Sequence, residues 1–79
     1  MANIEEEEGR YYIHISNIPR IDKSAFINCI VQLVTDQVIE GVSNLRDESD
    51  RQGIRIILEI KKGFYPQKIL DQLMSLLPS

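Results

Sequence analysis

The sequence predicts an α+β domain of two layers, a small mixed or antiparallel sheet with two helices on one face, in the order (β)β-α-β-β-α. Three observations lead there. Residues 10–16 and 54–61 alternate apolar and polar side chains, the period of a strand with one dry face. Residues 23–38 and 66–77 repeat apolar side chains at three- and four-residue spacing, the period of a helix with one dry face. A chain of 79 residues has room for one core, which all four faces must share.

In chain order, Ile4 leads into glutamates at 5–8. This stretch reads as an edge strand or a flexible acidic arm, and its charges would discourage edge-to-edge pairing. Gly9 permits a tight turn into residues 10–16, with a hairpin back onto 4–8 as one arrangement. There Tyr11, Ile13 and Ile15 share one face, and Arg10, Tyr12, His14 and Ser16 the other. His14 thus reads as a surface residue of the polar face. Pro19 ends the strand. Asp22 is placed to cap the first helix, because its carboxylate can accept from the free N–H groups of the first turn. Phe26, Ile27, Ile30, Val31, Leu33, Val34 and Val38 give that helix a broad apolar face suited to lie flat on a sheet. Gly41 is expected to supply the left-handed residue that stops it. Residues 42–45 read as a short strand. From Ile54, Ile56, Leu58 and Ile60 share the dry side with it, while Arg55, Ile57, Glu59 and Lys61 point to the wet side. Pro66 suits the first turn of the second helix, where its missing N–H costs nothing. Ile69, Leu70, Leu73, Met74 and Leu77 form its stripe, Leu76 widens it, and Pro78 ends it.

Between the third and fourth strands lies LRDESDRQG, residues 45–53. Arg46, Asp47, Glu48, Asp50 and Arg51 interleave both signs. They read as an ordered, solvated hairpin connection held by local salt bridges.

Composition narrows the function classes. The net charge is −3, so no whole-chain basic signature marks nucleic-acid binding. The acids are concentrated, however, and outside residues 5–8 nine bases face eight acids. A single cysteine, Cys29, excludes an internal disulfide and reads as a small core residue. With one histidine and no CxxC or HExxH spacing, no metal site is expected. No run is long and apolar enough for a membrane span, and no signal peptide precedes the acidic start, so a cytoplasmic protein without a membrane partner is expected.

The segment IEGVSNLRDESDRQGIRIILEIKKG, residues 39–63, closely resembles the A chain of bacterial-type type IIA DNA topoisomerases, DNA gyrase and topoisomerase IV. The match runs through Ile39, Glu40, Gly41 and Ser43. It then takes in Leu45, Arg46, Asp47, Glu48, Ser49, Asp50, Arg51 and Gly53, and continues to Arg55, Ile56, Glu59 and Lys61. The flanks are similar as well: Gly9, Arg10 and residues 13–19, the helix start at Asp22 and Lys23, and Pro66, Ile69, Leu70, Gln72 and Leu73. Residues 63–65, Gly-Phe-Tyr, depart from a usually more polar segment.

The resemblance implies the tower portion of the breakage–reunion domain, a single subdomain over residues 1–79. In the family this portion follows the winged-helix part with the active-site tyrosine and precedes a coiled-coil arm. Tyr11, Tyr12 and Tyr65 are not in that tyrosine's motif, and residues 47–50 are not the family's magnesium carboxylates. The implied role is structural and DNA-bordering, with no chemistry or cofactor of its own. Magnesium and ATP would act through the partner subunit of the ATP-dependent parent. The implied partners are the remainder of the A subunit, double-stranded DNA and the partner ATPase subunit. Arg10, Arg55, Lys61 and Lys62 are the candidate phosphate contacts, such contacts being sequence-independent and salt-sensitive. Two other readings stand beside this one. One is a free-standing, non-enzymatic interaction or dimerisation module that pairs through the stripe around Leu76. The other, a small-molecule-sensing domain, rests on the element order alone.

Overall fold

The computed structural model of the chain describes residues 2–16, 23–51 and 53–76. The elements are β1 (Ala2–Glu7), β2 (Arg10–Ser16), α1 (Lys23–Thr35), β3 (Val42–Asp47), β4 (Arg55–Ile60) and α2 (Pro66–Leu76). The strands form one sheet in the order β1-β2-β4-β3, and every neighbouring pair is antiparallel. β2 and β3 therefore run the same way on either side of β4. The glutamate stretch is an edge strand and not a loose arm: Ile4 pairs with Ile13 and Glu7 with Arg10.

The register places one dry face toward both helices. Ile13 stands opposite Leu58 and Ile15 opposite Ile56 on β2 and β4, while Leu45 and Val42 of β3 meet Leu58 and Ile60. Against this face pack Phe26 and Ile30 of α1 and Ile69, Leu70 and Leu73 of α2, in one cluster with Ile39 and Ile54. Nothing polar or charged is buried among the described residues. The core is held by apolar burial and close packing.

Four expectations change. The first helix ends at Thr35 instead of Val38, and its stop is Gln37, not Gly41. Gln37 is left-handed at φ 59°. The Val38 N–H reaches back to the Leu33 carbonyl at 3.0 Å, and the Gln37 N–H to Val34 at 3.1 Å. That double bond is the Schellman closure, and it consumes the carbonyls the helix end leaves free. Second, β3 continues to Asp47, so Arg46 and Asp47 belong to the strand and the turn is shorter than their charge suggested. Third, Ile57 is buried although it lies on the polar side, because His14 and Arg46 flank it across the ladders. Fourth, Tyr11 sits at the end of its strand and is 40% exposed, outside the core. Pro19, Asp22, Leu77 and Pro78 lie outside the described residues.

Gly41 has a different task from the one its position suggested. Its φ is +93°, and a Cβ there would lie 2.6 Å from the Phe64 ring and 2.9 Å from Ile69 Cδ1. Only glycine lets β3 begin this close to the segment that enters α2.

Candidate functional site

The charged segment after β3 is a hairpin tip closed by backbone rungs and braced by its own side chains. The ladder continues past Asp47 through the Glu48 N–H, which bonds to the Arg55 carbonyl at 2.8 Å. Asp50 and Gly53 then exchange two backbone bonds at 3.1 and 3.3 Å. Between these rungs Ser49 stands in for a backbone partner. Its Oγ accepts the Arg55 N–H at 2.9 Å and lies 3.4 Å from the Arg55 carbonyl. Asp47 Oδ1 in turn accepts the Ser49 N–H at 3.0 Å, a short side-chain-to-backbone turn of the kind aspartate favours. Arg46 and Glu48 form an exposed ion pair at 3.7 Å, worth little by itself. Of the family-like residues, Asp47 and Ser49 thus direct side-chain oxygens onto the backbone of their own hairpin. Leu45 anchors the stem against the core, and Arg51 is exposed.

The four candidate cations do not form one patch. Arg10 donates to the Glu59 carboxylate across the polar face of the sheet. That hydrogen bond, and then the charge of Glu59, raises the pKa of the guanidinium. Lys61 and Lys62 follow β4 at the same end of the sheet, and they line one cleft together with Arg10, Tyr11 and Phe64. Both lysines are exposed. Arg55 lies at the other end of β4, opposite Ser16. At ~3.3 Å per residue that is about 20 Å from Lys61. The structure therefore gathers Arg10, Lys61 and Lys62 and leaves Arg55 apart.

The remaining chemistry-bearing residues are accounted for locally. His14 Nδ1 lies 3.2 Å from Glu5 Oε2, on the polar face. Cys29 is a half-buried free thiol. Among the described residues no three His, Cys, Asp or Glu side chains converge as a metal site. Nor is any helix among them long and apolar enough to cross a membrane. Sequence reasoning missed the pairing of Arg10 with Glu59. Its signal was available, since both residues fall on the polar face at neighbouring ends of adjacent strands. The clustering of Tyr11 with Phe64 and Tyr65 depends on the β2–β4 register and left no local signal.

The family model for the A chain of DNA gyrase/topoisomerase IV matches residues 1–78. The chain belongs to this family. Its relatives include the DNA gyrase A protein of Ureaplasma parvum, 44% identical over 72 residues, which are 90% of this chain and 9% of that protein. The DNA gyrase A protein of Borrelia hermsii is 48% identical over 73 residues, again 90% and 9%. The probable chloroplastic/mitochondrial DNA gyrase A protein of Oryza sativa is 39% identical over 74 residues, 92% of this chain and 8% of that protein. The chain spans about a tenth of the length of the curated relatives it matches. The hairpin tip and the lysine end are thus features of one short stretch of a gyrase A-type sequence.

Proposed function

We propose that the chain is a structural subdomain of a type IIA topoisomerase A subunit, the tower part of its breakage–reunion domain, and that it borders the DNA duplex. The observation that carries this reading is the hairpin at 45–53. The segment that carries the resemblance to the family turns Ser49 and Asp47 onto its own backbone, which supports a role for them in shape. Double-strand breakage, passage and rejoining would belong to the parent enzyme, with the tyrosine nucleophile outside this chain. Magnesium and ATP would be handled through the partner ATPase subunit. The remainder of the A subunit would be the immediate partner.

Contact with DNA falls to Lys61 and Lys62. Their side chains are exposed, whereas Arg10 is engaged by Glu59 and Arg55 stands apart. Lysines at phosphates release counterions, so each contact adds close to one unit to the salt slope of binding. Replacing both, as Lys61→Ala with Lys62→Ala, should weaken binding of a short duplex and make the salt slope shallower by about 2. Fluorescence anisotropy across a salt series measures both quantities. Unchanged affinity and slope would remove the DNA-bordering role.

A second reading draws on α2, where Met74 and Leu76 are 44% and 43% exposed. In a free-standing protein this end could pair two copies. A mass that rises with concentration in sedimentation would support that arrangement, and a strictly monomeric species would refute it.

A further inference from the structure

We infer that Tyr11, Phe64 and Tyr65, beside Lys61 and Lys62, form a site for an unpaired nucleobase, so that this corner takes single-stranded nucleic acid in preference to duplex. The inference rests on the reading of the two lysines as phosphate contacts and adds what lies next to them. Of the five aromatic residues, Phe26 is in the core and Tyr12 is half-buried. The other three are exposed together, Tyr11 at 40%, Phe64 at 41% and Tyr65 at 70%. Two adjoining clefts share Tyr11, Gly63 and Phe64; one continues to Lys61 and Lys62, the other to Tyr65 and Pro66. Single exposed apolar residues are ordinary, but a contiguous group of them marks a binding surface.

The ledge is fixed in place. Phe64 packs where Gly41 lacks a Cβ, close to Ile69, so its ring is held before any ligand arrives. Lys68 Nζ lies 5.4 Å from the centre of the Tyr65 ring, which adds a third lysine to the corner. On the far side Glu6 stands opposite Tyr11 in the β1–β2 ladder, so a phosphate chain is steered to the Lys61–Lys62 side. Aromatic faces stack on any base, and lysines track the backbone, which is the combination single-strand sites use. A duplex keeps its bases stacked inside and can engage only the lysines. A protein occupant fits less well, because lysine is depleted at protein interfaces and this corner carries three.

The test is anisotropy with a fluorescein-labelled oligothymidylate of about 10 nucleotides, within the size of a small single-strand site, beside a duplex of equal length. The full chain is compared with Tyr65→Ala, Tyr65→Phe and the Lys61→Ala/Lys62→Ala pair. The wild type should bind the single strand more tightly. Tyr65→Ala should lower that affinity about five-fold or more and leave duplex binding unchanged, and Tyr65→Phe should retain it. Equal or tighter duplex binding by the wild type would overturn the inference, as would a Tyr65→Ala variant that loses both ligands equally or neither. A change in self-association with no change in single-strand affinity would overturn it too, and would make the ledge a protein surface. The lysine variant separates the two levels. If it loses the duplex while Tyr65→Ala changes nothing, the phosphate reading stands and the base site falls. If it loses neither ligand, both fall.

Discussion

The β1–β2 hairpin turns on backbone conformation, whereas the β3–β4 hairpin adds side-chain bonds to its backbone rungs. In the first, Glu8 and Gly9 both adopt positive φ, 53° and 80°, and Arg10 follows directly opposite Glu7. That is the two-residue turn whose twist suits antiparallel strands, and it works with few residue types other than glycine, asparagine and aspartate. In the second, Asp47 and Ser49 supply bonds that the backbone alone would not make. The difference teaches where sequence is constrained. A turn made by dihedral angles asks for one or two permissive residues. A turn braced by side chains asks for particular atoms at particular positions, and this second hairpin lies in the segment that carries the resemblance to the topoisomerase family.

The strands behind the two hairpins differ in the same direction. β1 contributes only Ala2 and Ile4 to the edge of the core and carries consecutive glutamates. β4 is central, with Ile56, Leu58 and Ile60 almost fully buried. Each hairpin thus joins an edge strand to a buried inner one, β1 to β2 and β3 to β4, and of the two edges β1 is the one that carries the run of negative charge.

The largest expected break lies where the second hairpin meets α2. Gly41→Ala forces a positive φ on a residue with a Cβ and drives that carbon into Phe64 and Ile69. The expected loss is about 2–5 kcal/mol, from left-handed strain together with overpacking. Urea unfolding measures it. A loss within error would mean that β3 and the Phe64 segment can separate freely. Next in size is Ser49→Ala, which leaves the Arg55 N–H without its acceptor. It should cost about 1–2 kcal/mol in the same assay, and Ser49→Thr should recover part of that. An unchanged midpoint would show that the tip is held by its backbone rungs alone. The smallest effect has the opposite sign. Glu8→Asn places a residue that tolerates positive φ at the first turn and removes one of four adjacent negative charges. Stability should rise by about 0.5–1 kcal/mol. A decrease would show that Glu8 makes a compensating contact.

The periodic parts of the fold were legible in the sequence because burial writes them there. Ile13 and Ile15, the Ile56–Leu58–Ile60 series and the α2 stripe of Ile69, Leu70 and Leu73 all fall where alternation and helical spacing put them. What was not legible depends on partners far along the chain. Ile57 looks exposed by alternation, yet neighbours on β2 and β3 cover it. Gly41 looks like a helix stop, yet its reason lies 23 residues on, in Phe64. Gln37 ends α1 in a conformation that residue type alone does not favour. At the candidate site, the exposed lysines were readable from composition and position. The pairing of Arg10 with Glu59 was hinted at by their shared polar face, and the gathering of the aromatics required the register of the sheet.

Amide hydrogen exchange on the unmodified chain tests most directly whether the 45–53 hairpin is a structural element in its own right. The tip rungs should exchange slowly, with the Arg55, Glu48 and Asp50 amides outlasting those of β1, because Ser49 and the buried β4 hold the tip while β1 is a charged edge. Tip amides that exchange before those of β1 would contradict the account: side-chain bonds would then not be what braces that hairpin, and its match to the family would need a reason other than shape.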